Sequence, residues 1–327
     1  MCTSPITVKK KIAGKEISSL VPCGKCSECV KKRQSSYVVR CIEESRKRGR
    51  IWFLTLTYND DHLPYVDGFP SLCRDDLKKW KKEVRRNYFR SFGVKFPDFS
   101  FLLCGEYGPR TQRPHYHGLI FGLDKYHIHL LQSYWEDHYG FSVFVDVPFR
   151  SGYKNDVACA ARYVAKYCIK SKGKVPNDKV ESPRVQTSIG FGLPEDMESF
   201  QNYVLNGVDP QTLSGLKVKD ISIINNRLKY SFDGCDYSLP SYVRKKILYE
   251  KNSKGNLAPS KLQKVLSRSL QRESIDNFNK QLREMESLYE EGEVSALLAR
   301  FSYFEEDSLR SREDFMSKDL LTKKGTF

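Results

Sequence analysis

The chain has 327 residues, 39% hydrophobic and 13% aromatic, enough for a substantial core and more than one domain. Its 55 Lys and Arg against 40 Asp and Glu leave a net charge of +15, which favours a polyanionic partner, nucleic acid before a membrane surface. No apolar run approaches the roughly 20 residues that span a bilayer, and MCTSPITVKKKIAGKE has no apolar centre of the secretory kind. The expectation is therefore a cytosolic protein with no membrane association, whose ten cysteines serve metal binding or cores rather than disulfides.

Residues 1–50 form a basic, cysteine-bearing segment. CGKCSEC sets Cys23, Cys26 and Cys29 at three-residue steps. Two overlapping CxxC steps suit three thiolates on one structural Zn²⁺, with an iron–sulfur cluster the weaker alternative. A closed tetrahedral site needs a fourth ligand, for which Cys2 and Cys41 are the candidates. From Val30, VKKRQSSYVVRCIEESRKRGR places Val30, Tyr37, Val38, Cys41 and Ile42 at helical spacing.

IWFLTLTY (Ile51 to Tyr58) is β-branched and aromatic, a strand. LCRDDLKKWKKEVRRNYF spaces Leu72, Leu77, Trp80 and Val84 as an amphipathic helix. FSFLLCGEYG is a second strand, joined through the turn-rich GPRTQRP to a third, RPHYHGLIFG. DKYHIHLLQSYWEDHYG reads as a helix ended by Gly140, FSVFVDVPF as a fourth strand, and NDVACAARYVAKYCIK as a helix capped by Asn155 or Asp156. Cys104, Cys159 and Cys168 sit in apolar contexts that predict core positions.

The order β-α-β-β-α-β-α over Ile51 to Lys170 predicts an α+β domain with a ferredoxin- or RRM-like antiparallel sheet and flanking helices. SKGKVPNDKVESPRVQTSIGFG reads as a linker, and SKLQKVLSRSLQRESIDNFNKQLREMESLYEEGEVSALLARF as a charged, partly helical region. The chain thus divides into a Cys-rich N-terminal segment (1–50), a sheet domain (51–175), and a linker with a C-terminal helical region (176–327).

Two histidines stand one residue apart in RPHYHGLIFG. On a strand, His115 and His117 share a face while Tyr116 points away. Glu106 precedes the hairpin turn, so pairing of the two strands brings its carboxylate toward both imidazoles. One carboxylate and two imidazoles with an open position suit Mg²⁺ or Mn²⁺, and the same donor set also holds catalytic zinc. The plainer alternative is a solvated strand face with a surface carboxylate beside it.

In ARYVAKYCIK, Tyr163 and Tyr167 are four apart and share a helix face, which Lys166 and Lys170 flank. A free phenol titrates near 10, and neighbouring ammonium groups favour the phenolate. Two such tyrosines can attack a phosphodiester in succession. The attack leaves the 5′ phosphate on tyrosine and frees a 3′ hydroxyl. The same spacing also fits an amphipathic helix with half-buried tyrosines. A non-catalytic reading of the whole is a sheet that binds single-stranded nucleic acid through Phe53, Phe101 and Tyr116 as stacking platforms.

FLTLTY, RPHYHGLIFG and ARYVAKYCIK, in that order, resemble the three motifs of HUH endonucleases that initiate rolling-circle replication. PCGKCSECVKKRQ, FLTLTYNDDHLP and CGEYGPRTQRPHYHGLIFG resemble more narrowly the initiators of single-stranded-DNA microviruses of the gokushovirus branch. The resemblance covers about residues 1–175 and fades in the C-terminal third. It implies that His115 and His117 bind the divalent metal, with Glu106 where related initiators carry an acidic third ligand. It implies Tyr163 and Tyr167 as nucleophiles, one to nick and one to rejoin. Similar initiators begin with a cysteine near the start, which favours Cys2 as the fourth zinc ligand. The implied substrate is single-stranded or melted origin DNA, in the cytoplasm of a bacterial host. With no GxxxxGK[ST] pattern in the chain, a host helicase would unwind the strand and a host polymerase would extend it.

Overall fold

A computed structural model of the chain describes residues 6–267 apart from 13–14, 148–155, 171–174, 233–234, 252 and 254, together with residue 269. In chain order its elements are β1 (Ile6–Ile12), β2 (Lys15–Val21), α1 (Ser27–Arg48), β3 (Ile51–Tyr58), β4 (Tyr65–Val66), β5 (Phe69–Pro70) and α2 (Arg74–Phe92). There follow β6 (Ser100–Tyr107), β7 (Pro114–Phe121), α3 (Lys125–His138), β8 (Gly140–Val147), α4 (Asp156–Lys170) and β9 (Val185–Thr187). The chain continues through α5 (Met197–Leu205), α6 (Val218–Arg227), β10 (Lys229–Phe232), β11 (Cys235–Ser238), α7 (Ser241–Leu248), β12 (Tyr249–Lys251) and β13 (Leu257–Pro259). These form two compact units, one of Arg33–Phe200 with Lys229–Val243, the other of Met1–Lys32, Gln201–Leu228 and Arg244–Phe327.

The first unit is built on a five-stranded sheet of order β8-β3-β7-β6-β9, with every neighbouring pair antiparallel. Alternation along the strands decides what each face does. Trp52, Leu54, Leu56 and Tyr58 of β3 share one face with Tyr116 and Ile120 of β7 and with Leu103 and Tyr107 of β6. That face packs against Leu77, Trp80 and Val84 of α2 and Ile128, Leu131 and Trp135 of α3. Buried indoles need an acceptor for their N–H: Trp80 donates to the Leu131 carbonyl at 2.8 Å and Trp52 to the Leu123 carbonyl at 2.9 Å. Helix α3 starts where the Asp124 side chain accepts from the His127 amide, and α2 ends on Gly93, whose φ of 68° suits a residue without Cβ.

On the opposite face Leu102, Leu119 and Phe121 are buried, and the Phe121 ring packs on Phe191 at 5.6 Å. Glu44 of α1 reaches across to accept from the Gly192 amide at 2.7 Å. Helix α4 packs on β6, β7 and β8 through an apolar side that includes Val157, Ala161 and Val164.

The α+β class is as expected, and so is the order of elements between Ile51 and Lys170 apart from the short β4–β5 hairpin, which was not anticipated. Two local expectations need correction. The supposed linker after residue 175 supplies β9, which pairs with β6, and Glu181, whose carboxylate accepts from the Arg74 amide at 3.1 Å. Its dispersed Pro, Gly and Ser punctuate a segment held by the core rather than a free tether. Cys159, expected in the core, is exposed on α4, because the buried side of that helix falls on Val157 and Ala161 instead. The N-terminal β1–β2 hairpin of the second unit was not anticipated. Of the helical C-terminal region, residues 261–267 are helical, and most of the rest lies outside the described residues. Asn155 lies outside them too, as does the side chain of Asp156.

Candidate active site

The β6–β7 hairpin sets the histidines in register. His115 lies opposite Glu106 on one side and Thr57 on the other, and His117 lies between Cys104 and Thr55. Tyr116, between the histidines in sequence, is buried on the other face, its ring 6.1 Å from those of Tyr58 and Trp135. Period two has thus cleared the sheet's second face for the imidazoles.

Each ring nitrogen of His117 has a defined neighbour. Nδ1 lies 3.0 Å from the Thr55 hydroxyl, and Nε2 lies 3.7 Å from Oε2 of Glu106. A hydroxyl on one nitrogen fixes the ring's orientation and leaves the other to face the carboxylate. The His115 ring lies 6.2 Å from that of His117, at 75°. Its Nδ1 is buried with no hydrogen-bond partner among the described residues. A Cβ on Gly108 would stand 3.2 Å from its Nε2, so a glycine gives the ring its room. Burial holds the His115 imidazole below its usual value. The neighbouring Arg113 cation adds to the lowering. The neutral ring is the form that ligates metals.

The three donors Glu106, His115 and His117 share a face, but not all of their donor atoms come within 4.8 Å of one another. The cysteines do: Cys23, Cys26 and Cys29 converge to within that distance, and no other group of three His, Cys, Asp or Glu among the described residues does so. The Cys23 sulfur accepts from the amides of Lys25 at 3.4 Å and Cys26 at 3.3 Å, in a turn made by Gly24 at φ 73°. Cys41 stays apart, fully buried, with its thiol pushed up by burial. Cys2 lies outside the described residues.

Helix α4 brings Tyr163 to the same face. The tyrosine is 47% exposed, and its ring meets Phe53 edge-on at 5.5 Å. Phe53 in turn stacks on His117, at 6.3 Å and 18° between planes. A continuous run of rings therefore joins the phenol to the histidine pair. Lys166 is half-buried three residues further along the helix, while the side chains of Tyr167 and Lys170 lie outside the described residues. Phe53, a stacking platform in the non-catalytic reading, is half-buried and bridges the His117 and Tyr163 rings. Its signal was present, since it alternates with Thr55 and Thr57 on the histidine face.

Residues 51–172 match the model of a family of replication-associated proteins of the ORF2 type. The chain is 37% identical over 108 residues to the replication-associated protein ORF4 of Chlamydia phage 1, covering 33% of this chain and 25% of that one. It is 26% identical over 223 residues to the replication-associated protein ORF2 of Spiroplasma virus 4, covering 62% and 65%. It is 30% identical over 174 residues to the replication-associated protein VP4 of Bdellovibrio phage phiMH2K, covering 50% and 54%. The chain thus spans between 25% and 65% of the length of these relatives. A solved nuclease domain of minute virus of mice non-structural protein-1 aligns with 56% of this chain and 87% of that domain, at 13% identity and a TM-score of 0.19, a likeness too low to bear on function. Over the segment that carries the central strands of the sheet, the histidine strand and helix α4, this chain is similar to phage replication-associated proteins.

Proposed function

We propose that the chain initiates rolling-circle replication by nicking single-stranded or melted origin DNA in the cytoplasm of a bacterial host. The observation that carries this reading is the run of rings from Tyr163 through Phe53 to His117, beside a histidine pair in register with Glu106. A stacking module has no use for that arrangement. Two of its supposed platforms are also closed: Tyr116 is buried, and Phe101 lies on the helix-covered face under the Lys81 ammonium at 4.3 Å.

The donor types suit a divalent cation, although their atoms are not drawn to one point among the described residues. Two imidazoles and a carboxylate share one face, and a buried His115 nitrogen lacks any partner among the described residues. His115, His117 and Glu106 would hold Mg²⁺ or Mn²⁺, which when bound polarises a phosphoryl oxygen. The phenolic oxygen of Tyr163 or Tyr167 attacks the scissile phosphorus. The new bond is tyrosine O–P, the broken bond is P–O3′, and the departing oxygen takes up a proton as the 3′ hydroxyl. Lys166 and Lys170 hold the phosphate backbone. Attack by a 3′ hydroxyl on the phosphotyrosine reverses the step and rejoins the strand. Cys23, Cys26 and Cys29, with Cys2 as fourth ligand, would hold a structural Zn²⁺. Host helicase and polymerase complete the reaction sequence.

The test is a denaturation-resistant adduct between the chain and a labelled origin single strand in Mn²⁺. Adduct is expected with the wild type and with one or both single variants Tyr163→Phe and Tyr167→Phe. It should be absent with the double variant, with His115→Ala and in EDTA. Adduct that persists in the double variant would overturn the assignment of the nucleophiles.

A further inference from the structure

Strand β8 closes one edge of the sheet, and from Gly140 to Val145 its alternate residues have opposite fates. Gly140 is buried and Phe144 packs on the core. Phe141, Val143 and Val145 point the other way and are 71%, 55% and 51% exposed. Three large apolar side chains in a row on one exposed strand are costly in water and invite unwanted pairing at a sheet edge. Such a row needs an occupant.

Register says which face it belongs to. Phe141 lies opposite Thr57, which lies opposite His115, and Val143 lies opposite Thr55, which lies opposite His117. Val145 lies opposite Phe53, the ring that Tyr163 meets edge-on. The apolar row is therefore the outer margin of the candidate site, parallel to the line from the histidines toward the tyrosine. From Phe141 to Val145 it runs about 13 Å at roughly 3.3 Å per residue.

Charge selects the occupant. The Arg113 guanidinium bonds the Tyr58 carbonyl and pairs with the Asp60 carboxylate, each at 2.6 Å, and Tyr58 pairs with Gly140, so the Phe141 end is marked by an ion pair and the cations of the rim lie at the tyrosine end. Arg162 and Lys166 flank Tyr163 on α4, and the chain as a whole carries +15. Apolar side chains bordered by cations are the features that hold unpaired bases while the backbone runs along the positive rim.

We propose that Phe141, Val143 and Val145 form a track for the unpaired bases of a single DNA strand. Phe141 stacks a base beside the histidine pair, and the two valines bear on the next nucleotides toward Tyr163. This inference rests on the nickase reading and names how that site grips its strand.

The experiment uses the whole chain in EDTA, so that binding is read without cleavage. Fluorescence anisotropy follows a short labelled single strand of mixed sequence and the corresponding duplex. Phe141→Ala is expected to weaken single-strand binding about tenfold, the loss of one base stack. Duplex binding should hardly change, Phe141→Trp should restore the affinity, and Phe89→Ala, an exposed aromatic on α2, should bind as the wild type. Unchanged single-strand affinity in Phe141→Ala would overturn the track. So would a wild-type dimer in sedimentation velocity that Phe141→Ala dissociates without loss of affinity, since the face would then join two copies of this chain. Failure of the nickase reading shows elsewhere, as intact binding in EDTA with no adduct in Mn²⁺.

Discussion

Two buried basic side chains decide much of the residue-scale behaviour, and neither was conspicuous in the sequence as a buried group. Burial lowers the value of His115, with Arg113 adding to the effect. Lys81 of α2 is only 7% exposed, and its ammonium nitrogen has no hydrogen-bond partner among the described residues. Burial, then the neighbouring Arg85 and Lys78 cations, lower its value to about 7. The folded value thus lies below the unfolded 10.5, so the unfolded chain binds more protons between about 7 and 10.5. Stability should rise with pH across that window. Lys81→Met should abolish the rise and stabilise the fold near neutral pH by roughly 1–4 kcal/mol, as replacement of a buried charge by an apolar chain often does. Urea unfolding at a series of pH values checks this, and a variant that keeps the wild-type slope would refute the attribution. In the sequence, Lys81 is one of several lysines in KKWKKEVRR. Only its place beside Trp80 on the buried side of α2 sets it apart.

At the scale of elements, the β6–β7 hairpin is what sets Glu106 across from the histidines, and Gly118 keeps its strands together. A Cβ there would stand 2.4 Å from Cδ2 of Leu103 and 2.5 Å from the Leu102 carbonyl oxygen. The second contact is backbone and cannot move aside without parting the strands. Gly118→Ala should therefore cost about 1–3 kcal/mol and lower adduct formation by more than that loss of stability explains. Thermal melting beside the adduct assay separates the two, and a variant stable and active as the wild type would show that the pair tolerates a wider spacing. The hairpin itself was legible, because GPRTQRP concentrates turn residues between two apolar strands. Strand β9 was not. Val185–Thr187 is too short to show a period, and it becomes a strand only because the free edge of β6 offers it backbone partners.

Across the whole molecule, the two units rest on different physics. The Arg33–Phe200 and Lys229–Val243 unit holds the sheet and the cluster of Trp52, Trp80 and Trp135. The other unit carries short hairpins and the converging Cys23, Cys26 and Cys29. Small cores commonly depend on a metal clip. Metal analysis of the purified chain should find about one zinc per chain on this reading. A strong chelator or Cys26→Ser should lower the melting of the small-hairpin unit while the sheet unit melts as before. Calorimetry with and without chelator reads this, and identical traces with no zinc in the wild type would dismiss the site.

Composition, period and turn residues determined a good deal by themselves. The +15 charge, the strand and helix order from Ile51 to Lys170, and the shared face of His115 and His117 all follow from local rules. These rules act over a few residues, so a linear text displays them. Tertiary structure alone decided what depends on distant partners. It set Thr55 against His117, put Phe53 between His117 and Tyr163, buried Tyr116 and exposed Cys159. It also left the Phe141–Val145 row open at the sheet's edge. Each of these turns on which strand pairs with which and on the side from which a helix covers the sheet. Such long-range pairings are set by the packing of the whole core and leave no mark in the neighbouring sequence.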